Sequence, residues 1–110
     1  MNTEKKCKVV AYFSLVPVGL ESTSIGSYVA AAIAAMNRVE GLICEVTPMG
    51  TVMEADSLEV ILEAVKAAHE AIAGKGIMRV ESTLLIDDRR DKPRTMKDKV
   101  NAVKKYMKQV

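Results

Sequence analysis

The sequence predicts an α+β sandwich in which a four-stranded antiparallel sheet carries two helices on one face, followed by an additional C-terminal helix. Three observations lead there. Segments that alternate apolar and polar residues, and segments with an apolar stripe at helical spacing, follow one another as strand, helix, strand, strand, helix, strand, helix. The second and third strands are joined only by Pro48-Met49-Gly50, a connection so short that it forces an antiparallel hairpin. At 110 residues the chain fits a single domain, residues 1–110. A domain of that size buries roughly two-thirds of its unfolded surface, enough for one core.

The first strand runs from Val9 to Pro17: Val9, Ala11, Phe13 and Leu15 are apolar, and Tyr12 and Ser14 fall between them. Residues 18–24 then mix glycine with hydroxyls, and Ser22 or Ser24 can cap the helix that follows by accepting from its free N–H groups. In that helix Ile25, Tyr28, Val29, Ala32, Ile33 and Met36 recur at helical spacing, and four further alanines keep it thin. Gly41 stops it. Strands follow at Leu42 to Thr47 and Thr51 to Ala55, and then Asp56-Ser57-Leu58-Glu59 reads as a capping box with Asp56 as the cap. The helix it opens has one stripe, Leu58, Ile61, Leu62, Val65, Ala68 and Ile72, and ends at Gly74 and Gly76. Met78, Val80, Leu84 and Ile86 mark a fourth strand, residues 87–93 a charged loop, and Thr95 the cap of a last helix seamed by Met96, Val100, Val103 and Met107. The first six elements in this order form the ferredoxin-like split β-α-β arrangement. Its second sheet face, with Val10, Tyr12, Val16, Val52 and Leu85, is expected to be covered by self-association to a dimer or tetramer.

Composition narrows the function classes. Apolar residues make up 49% and charged residues 27%, an ordinary globular balance rather than a disordered one. The formal charge of +2 hides an asymmetry, because residues 89–110 hold nine Lys/Arg against Asp91 and Asp98, while the rest holds seven against twelve Asp/Glu. Such a tail suits an acidic partner, nucleic acid, or the body of another subunit. Cys7 and Cys44 lie far apart with no C-x-x-C, so both are read as reduced, with no zinc site and a cytoplasmic location. The lysines before Val9 imitate a signal peptide, but the apolar run alternates like a strand and contains Pro17 and Gly19. No stretch is long enough to span a bilayer.

Several segments taken together carry a resemblance. They are Val16-Pro17-Val18-Gly19 with Ser22, Ser24 and Tyr28-Val29-Ala30; Thr47-Pro48-Met49-Gly50-Thr51-Val52-Met53-Glu54; Ala68-His69-Glu70; Arg79-Val80; and Asp88-Arg89-Arg90-Asp91-Lys92 leading to Thr95, Asp98 and Lys99. In that order and spacing, from about Ala11 to Lys104, the chain resembles the small thiamine-binding protein family. The resemblance implies a ferredoxin-like fold, homo-oligomers, and binding of thiamine or its hydroxymethylpyrimidine half. Ala55 departs from the pattern where many members carry glycine, a change that stiffens the strand end without removing a ligand group.

Thiamine presents an aminopyrimidine with a ring-nitrogen acceptor and an amine donor, plus a cationic thiazolium, so its site wants a carboxylate, hydroxyls and an apolar or aromatic wall. The candidates are Glu54 for the carboxylate, Ser22, Ser24, Thr47 and Thr51 for the hydroxyls, and Tyr28 for the wall. Each has a plainer role available: a solvated edge for Glu54, strand propensity for the threonines, capping for a serine, core packing for Tyr28. His69 lies at the margin of a buried stripe with no nucleophile beside it in any motif, which points to a structural hydrogen bond. The cluster from Asp87 to Lys92 reads as a salt-bridged loop or subunit contact. No glycine-rich phosphate loop, catalytic set or metal set is present in the sequence, so the expectation is a non-catalytic binder with no cofactor beyond its ligand. The alternative is an RNA-binding module using the basic tail, but the fourth strand has no aromatic for base stacking. An acyl phosphate hydrolase is opposed by Asn37 and Arg38, adjacent on a helix and pointing apart.

Overall fold

The structure, a computed structural model, describes residues 8–108. Its elements are β1 (Val9–Val18), α1 (Gly26–Met36), β2 (Ile43–Thr47), β3 (Gly50–Ala55), α2 (Leu58–Ala73), β4 (Arg79–Asp88) and α3 (Met96–Met107). The strands lie in the order β2-β3-β1-β4, every neighbour antiparallel. The crossover through α1 skips one sheet position, and the β2–β3 hairpin fills it, which is the ferredoxin-like topology.

Alternation decides which face holds the core. Val9, Ala11, Phe13 and Leu15 of β1 and Met53 and Ala55 of β3 point to the helices, where Ile61, Ala64, Ala68 and Ile72 of α2 meet them. The helix α1 adds Ala32 and Met36 and packs along α2, a close approach that its alanines permit. Phe13, Met36, Met53, Ile61 and Ile72 are fully buried, and each contributes roughly 1.5–3 kcal/mol by leaving water.

Local details differ from the sequence reading in three places. The fourth strand runs two residues further than Ile86, because β1 pairs with it along its whole length, from Val9↔Asp88 to Val18↔Arg79. The first helix is not capped by a serine: Ile25 occupies the cap position without a side-chain bond, and the Ser22 hydroxyl accepts from the Ser24 N–H at 3.0 Å. It ends at Met36, before a turn that leads to Gly41, whose φ of 85° lies in the left-handed region that favours glycine. The cap of α2 is Ser57, whose hydroxyl accepts from the Val60 N–H at 3.3 Å, while Asp56 pairs with the Lys8 ammonium. At α3 the expected cap is present in full: Thr95 accepts from the Asp98 N–H and Asp98 accepts from the Thr95 N–H, each at 3.0 Å.

Among the described residues no helical layer covers the other sheet face. The molecule measures 47 × 44 × 17 Å, and on this face Leu85 is 68% and Val16 48% exposed. Cys44 is a half-buried free thiol whose pKa burial raises, and Cys7 lies outside the described residues. Among the described residues no helix is long and apolar enough to cross a membrane.

Candidate functional site

A mismatch in strand length makes the site. The strand β1 pairs with β3 only as far as Phe13↔Thr51, yet it continues with β4 to Val18. Beyond Phe13, therefore, β1 has no neighbour on the β3 side. The hairpin tip, residues 46–51, and the start of α1 border this gap and form an open-mouthed cavity of about 690 Å³. Ile25, Val29 and Ile33 wall it from α1, and Val46 and Met49 from the hairpin.

The hairpin tip is fixed from below. The Tyr12 hydroxyl donates to the Met49 carbonyl at 2.6 Å, and the Thr47 hydroxyl donates to the Gly50 carbonyl at 2.7 Å. The Tyr12 ring lies so close to Gly50 that a β-carbon there would stand 2.6 Å from it. Glycine at this position lets the ring and the hairpin pack without either shifting. Polar character in the cavity comes from hydroxyls, those of Thr47, Thr51, Ser14 and Tyr12, and none of the lining residues is charged. Thr51 is 5% exposed and points to the core side of the sheet, with no hydrogen-bond partner for its hydroxyl among the described residues.

The six candidate residues do not converge. Thr47 and Thr51 line the cavity. Ser22 and Ser24 sit on the exposed loop that leads directly into Ile25 and Gly26, two of its lining residues. Tyr28 is half-buried against the core, with the Lys75 ammonium 5.8 Å from its ring centre, and does not line the cavity. Glu54 is 5% exposed but stands opposite Val10, on the sheet face away from Thr51 and the core. Its carboxylate accepts from the Met96 N–H at 2.8 Å, at the first turn of α3. Strand alternation separates the two residues: positions three apart in one strand face opposite ways.

His69 has the structural bond expected of it, Nε2 lying 2.7 Å from the Ser82 hydroxyl, and its ring is tilted against Phe13 at 6.3 Å between centres. Neither His69 nor Ser82 lines the cavity. The loop after β4 is salt-bridged, Arg89 to Asp91 and Arg90 to Asp88, and the Arg89 bond holds the Asp91 carboxyl below its ordinary pKa. Among the described residues no group of three His, Cys, Asp or Glu is placed to hold a metal. Among the described residues Tyr12 is the one aromatic on the open sheet face, and β4 carries none, whereas single-stranded nucleic acid is stacked on several sheet aromatics.

Sequence reasoning missed the apolar wall. The four-residue spacing of Ile25, Val29 and Ile33, together with a first strand longer than the hairpin beside it, was the signal that could have found it.

A two-layer α+β fold holding a concave, mostly apolar cavity with a few hydroxyls, of a size that encloses a small organic molecule, defines a small-molecule binding protein. The profile of the thiamine-binding protein family matches residues 11–104, and the chain belongs to that family. The UPF0045 protein of Methanothermobacter thermautotrophicus is 48% identical over 96 residues, covering 87% of this chain and 96% of the relative. The UPF0045 protein YqgV of Bacillus subtilis is 36% identical over 101 residues, covering 89% and 96%. Among solved structures, the hypothetical protein MJ1052 of Methanocaldococcus jannaschii superposes with a TM-score of 0.80 at 39% identity, over 88% of this chain and 96% of that one. A Thermotoga maritima protein provisionally assigned to thiamine biosynthesis or salvage gives 0.72 at 25% identity, over 87% and 98%.

Proposed function

We propose that this protein binds thiamine or its hydroxymethylpyrimidine half in the cavity between α1 and the β2–β3 hairpin, without chemically converting it, as a cytoplasmic homo-oligomer whose open sheet faces meet. The observation that carries the reading is the uncharged cavity of about 690 Å³ with the Thr47 and Thr51 hydroxyls in its wall, in a chain of the thiamine-binding family. A flat aminopyrimidine suits such a wall: its amine donates to a threonine oxygen, and its ring nitrogen accepts from a hydroxyl. The absence of charge among the lining residues favours this neutral half over a diphosphate, which would want arginine or lysine partners. In this reading Thr47 and Thr51 contact the ring, Ser22 and Ser24 approach from the loop at the start of α1, and Tyr28 and Glu54 support the site from behind it.

Calorimetric titration with thiamine, hydroxymethylpyrimidine and thiamine diphosphate tests this. The first two are expected to saturate. Thr51→Val removes one buried hydrogen bond and is expected to weaken them about tenfold, close to 1.4 kcal/mol. Silence from all three ligands, in a protein shown to be folded, would refute the proposal.

A further inference from the structure

Hydroxyls are not all that the cavity offers, because the main chain of β1 borders it from Tyr12 to Val16. In an antiparallel sheet the N–H and C=O of one residue point to the same side of the strand, and those of the next residue to the other. Odd and even residues of β1 therefore serve different neighbours.

Two independent features say which set faces which strand. The β2–β3 connection has two residues, Pro48 and Met49, so Thr47 and Gly50 close the hairpin by exchanging both of their hydrogen bonds. Gly50 then points to β2 and Thr51 to β1, and Phe13, which lies opposite Thr51, exchanges both bonds with it. The odd residues of β1 face β3. Pro17 agrees: it has no N–H, yet it sits within the unbroken ladder to β4, opposite Val80. Proline fits into a ladder where its nitrogen faces away from the paired neighbour, and here that is the β3 side.

The rung Phe13↔Thr51 is the last that β1 makes with β3. Continuing the register would set Met49 opposite Leu15, but Met49 lies in the turn and its carbonyl accepts from the Tyr12 hydroxyl. Leu15 and Pro17 therefore turn one N–H and two C=O groups into the gap where the cavity lies. Among the described residues no strand pairing, turn or side-chain hydrogen bond gives any of the three a partner. Leu15 is 8% exposed, a depth at which main-chain groups are nearly always paired with protein, water or ligand.

The chemistry of this edge selects its occupant. In order it reads donor, acceptor, acceptor. A planar heterocycle in which a ring nitrogen adjoins an exocyclic amine matches the first two, the nitrogen accepting from the Leu15 N–H and the amine donating to the Leu15 C=O. An aminopyrimidine has a second ring nitrogen and a second amine hydrogen, which remain for the threonine hydroxyls. A hydroxyl rotates to donate or accept, whereas the main-chain pair has a fixed sense and so orients the ring. An added peptide strand would want a longer run of rungs, and the next odd residue, Pro17, has no donor to give it.

We propose that the main-chain N–H and C=O of Leu15 are the specificity-determining edge of the cavity, binding a ligand's ring nitrogen and the amine beside it. The proposal rests on the reading of the cavity as an aminopyrimidine site and adds the group that fixes the ligand's orientation.

Amide exchange in the free protein, followed by NMR, tests the edge without a ligand: the Leu15 N–H is expected to exchange about tenfold or more faster than that of Phe13. Equal protection of the two would overturn the unpaired edge. On saturation with hydroxymethylpyrimidine the Leu15 amide proton is expected to shift downfield and its exchange to slow. Binding that leaves this proton unmoved would keep the binding function and overturn the main-chain contact; silence of the folded parent chain toward both hydroxymethylpyrimidine and thiamine would overturn both.

An ester in place of the amide bond between Ser14 and Leu15 removes this N–H and keeps the leucine side chain, and it is expected to weaken binding about tenfold. The same replacement between Val9 and Val10 removes an N–H that faces β4 far from the cavity and is expected to leave affinity unchanged, which separates loss of the contact from loss of stability. A pyridine analogue, with C–H in place of the ring nitrogen beside the amine, is expected to bind the parent chain about tenfold more weakly than the pyrimidine but the ester protein equally well. Additive losses from the ester and the analogue would show that the two groups do not meet.

Discussion

At Gly50 a side chain meets the Tyr12 ring, which is held by its hydroxyl bond to the Met49 carbonyl and stands in the place of a β-carbon. Gly50→Ala must push that ring aside and is expected to cost about 1–3 kcal/mol in urea unfolding. Removing the ring with Tyr12→Ala is expected to abolish most of this cost, so the double-mutant cycle carries a large coupling term. Simple additivity of the two substitutions would show that the contact is not the cause. The threonines of this hairpin and Tyr12 of β1 were visible in the sequence, but the meeting of Tyr12 with Gly50 was not, since it depends on the register Phe13↔Thr51. Glu54 shows the same limit from the other side: its residue type suggested a ligand for a cation, and its register gives it to the first turn of α3.

Among the elements, the two capped helices should answer differently to loss of the cap. In α2, Ser57 opens a helix that carries four core residues, so Ser57→Ala is expected to lower global stability by about 1 kcal/mol. The helix α3 has a reciprocal cap and no buried residue. Thr95→Ala is expected to reduce the helical circular dichroism signal under conditions where the protein is monomeric, with little change in the urea midpoint of the body. A fall in midpoint equal to that of Ser57→Ala would mean that α3 is part of the core. The caps were readable to within one residue because they depend on local hydroxyl chemistry; Asp56 was read as the α2 cap because only the fold brings Lys8 within reach of it.

For the whole molecule, two surface ion pairs set opposite edges of a stability plateau. The hydrogen bond to Asp56 raises the Lys8 pKa above its ordinary 10.5, so its contribution is complete below that value and lost as pH climbs through the folded-state pKa. The Arg89 bond lowers the Asp91 pKa below 3.8, so its contribution is present above that value and lost as pH falls through the folded-state pKa. Between about pH 5 and 9 neither group changes charge in either state, and urea midpoints are expected to be level as far as these pairs are concerned. Lys8→Met is expected to remove the Lys8 part of the alkaline fall, a small effect because the pair is partly exposed. An unchanged alkaline limb in that variant would show that the pair contributes nothing.

The sequence by itself determined the order and kind of the seven elements, the core faces of β1 and α2, and the family, because periodicity, caps and turn residues act over a few positions and the family pattern is an ordered set of short segments. Tertiary structure alone decided where the cavity lies, which hydroxyls reach it, and that Glu54 holds a helix on the opposite face. Those outcomes depend on strand register and on β1 outrunning β3, and pairing between distant segments is not encoded in any local run of residues.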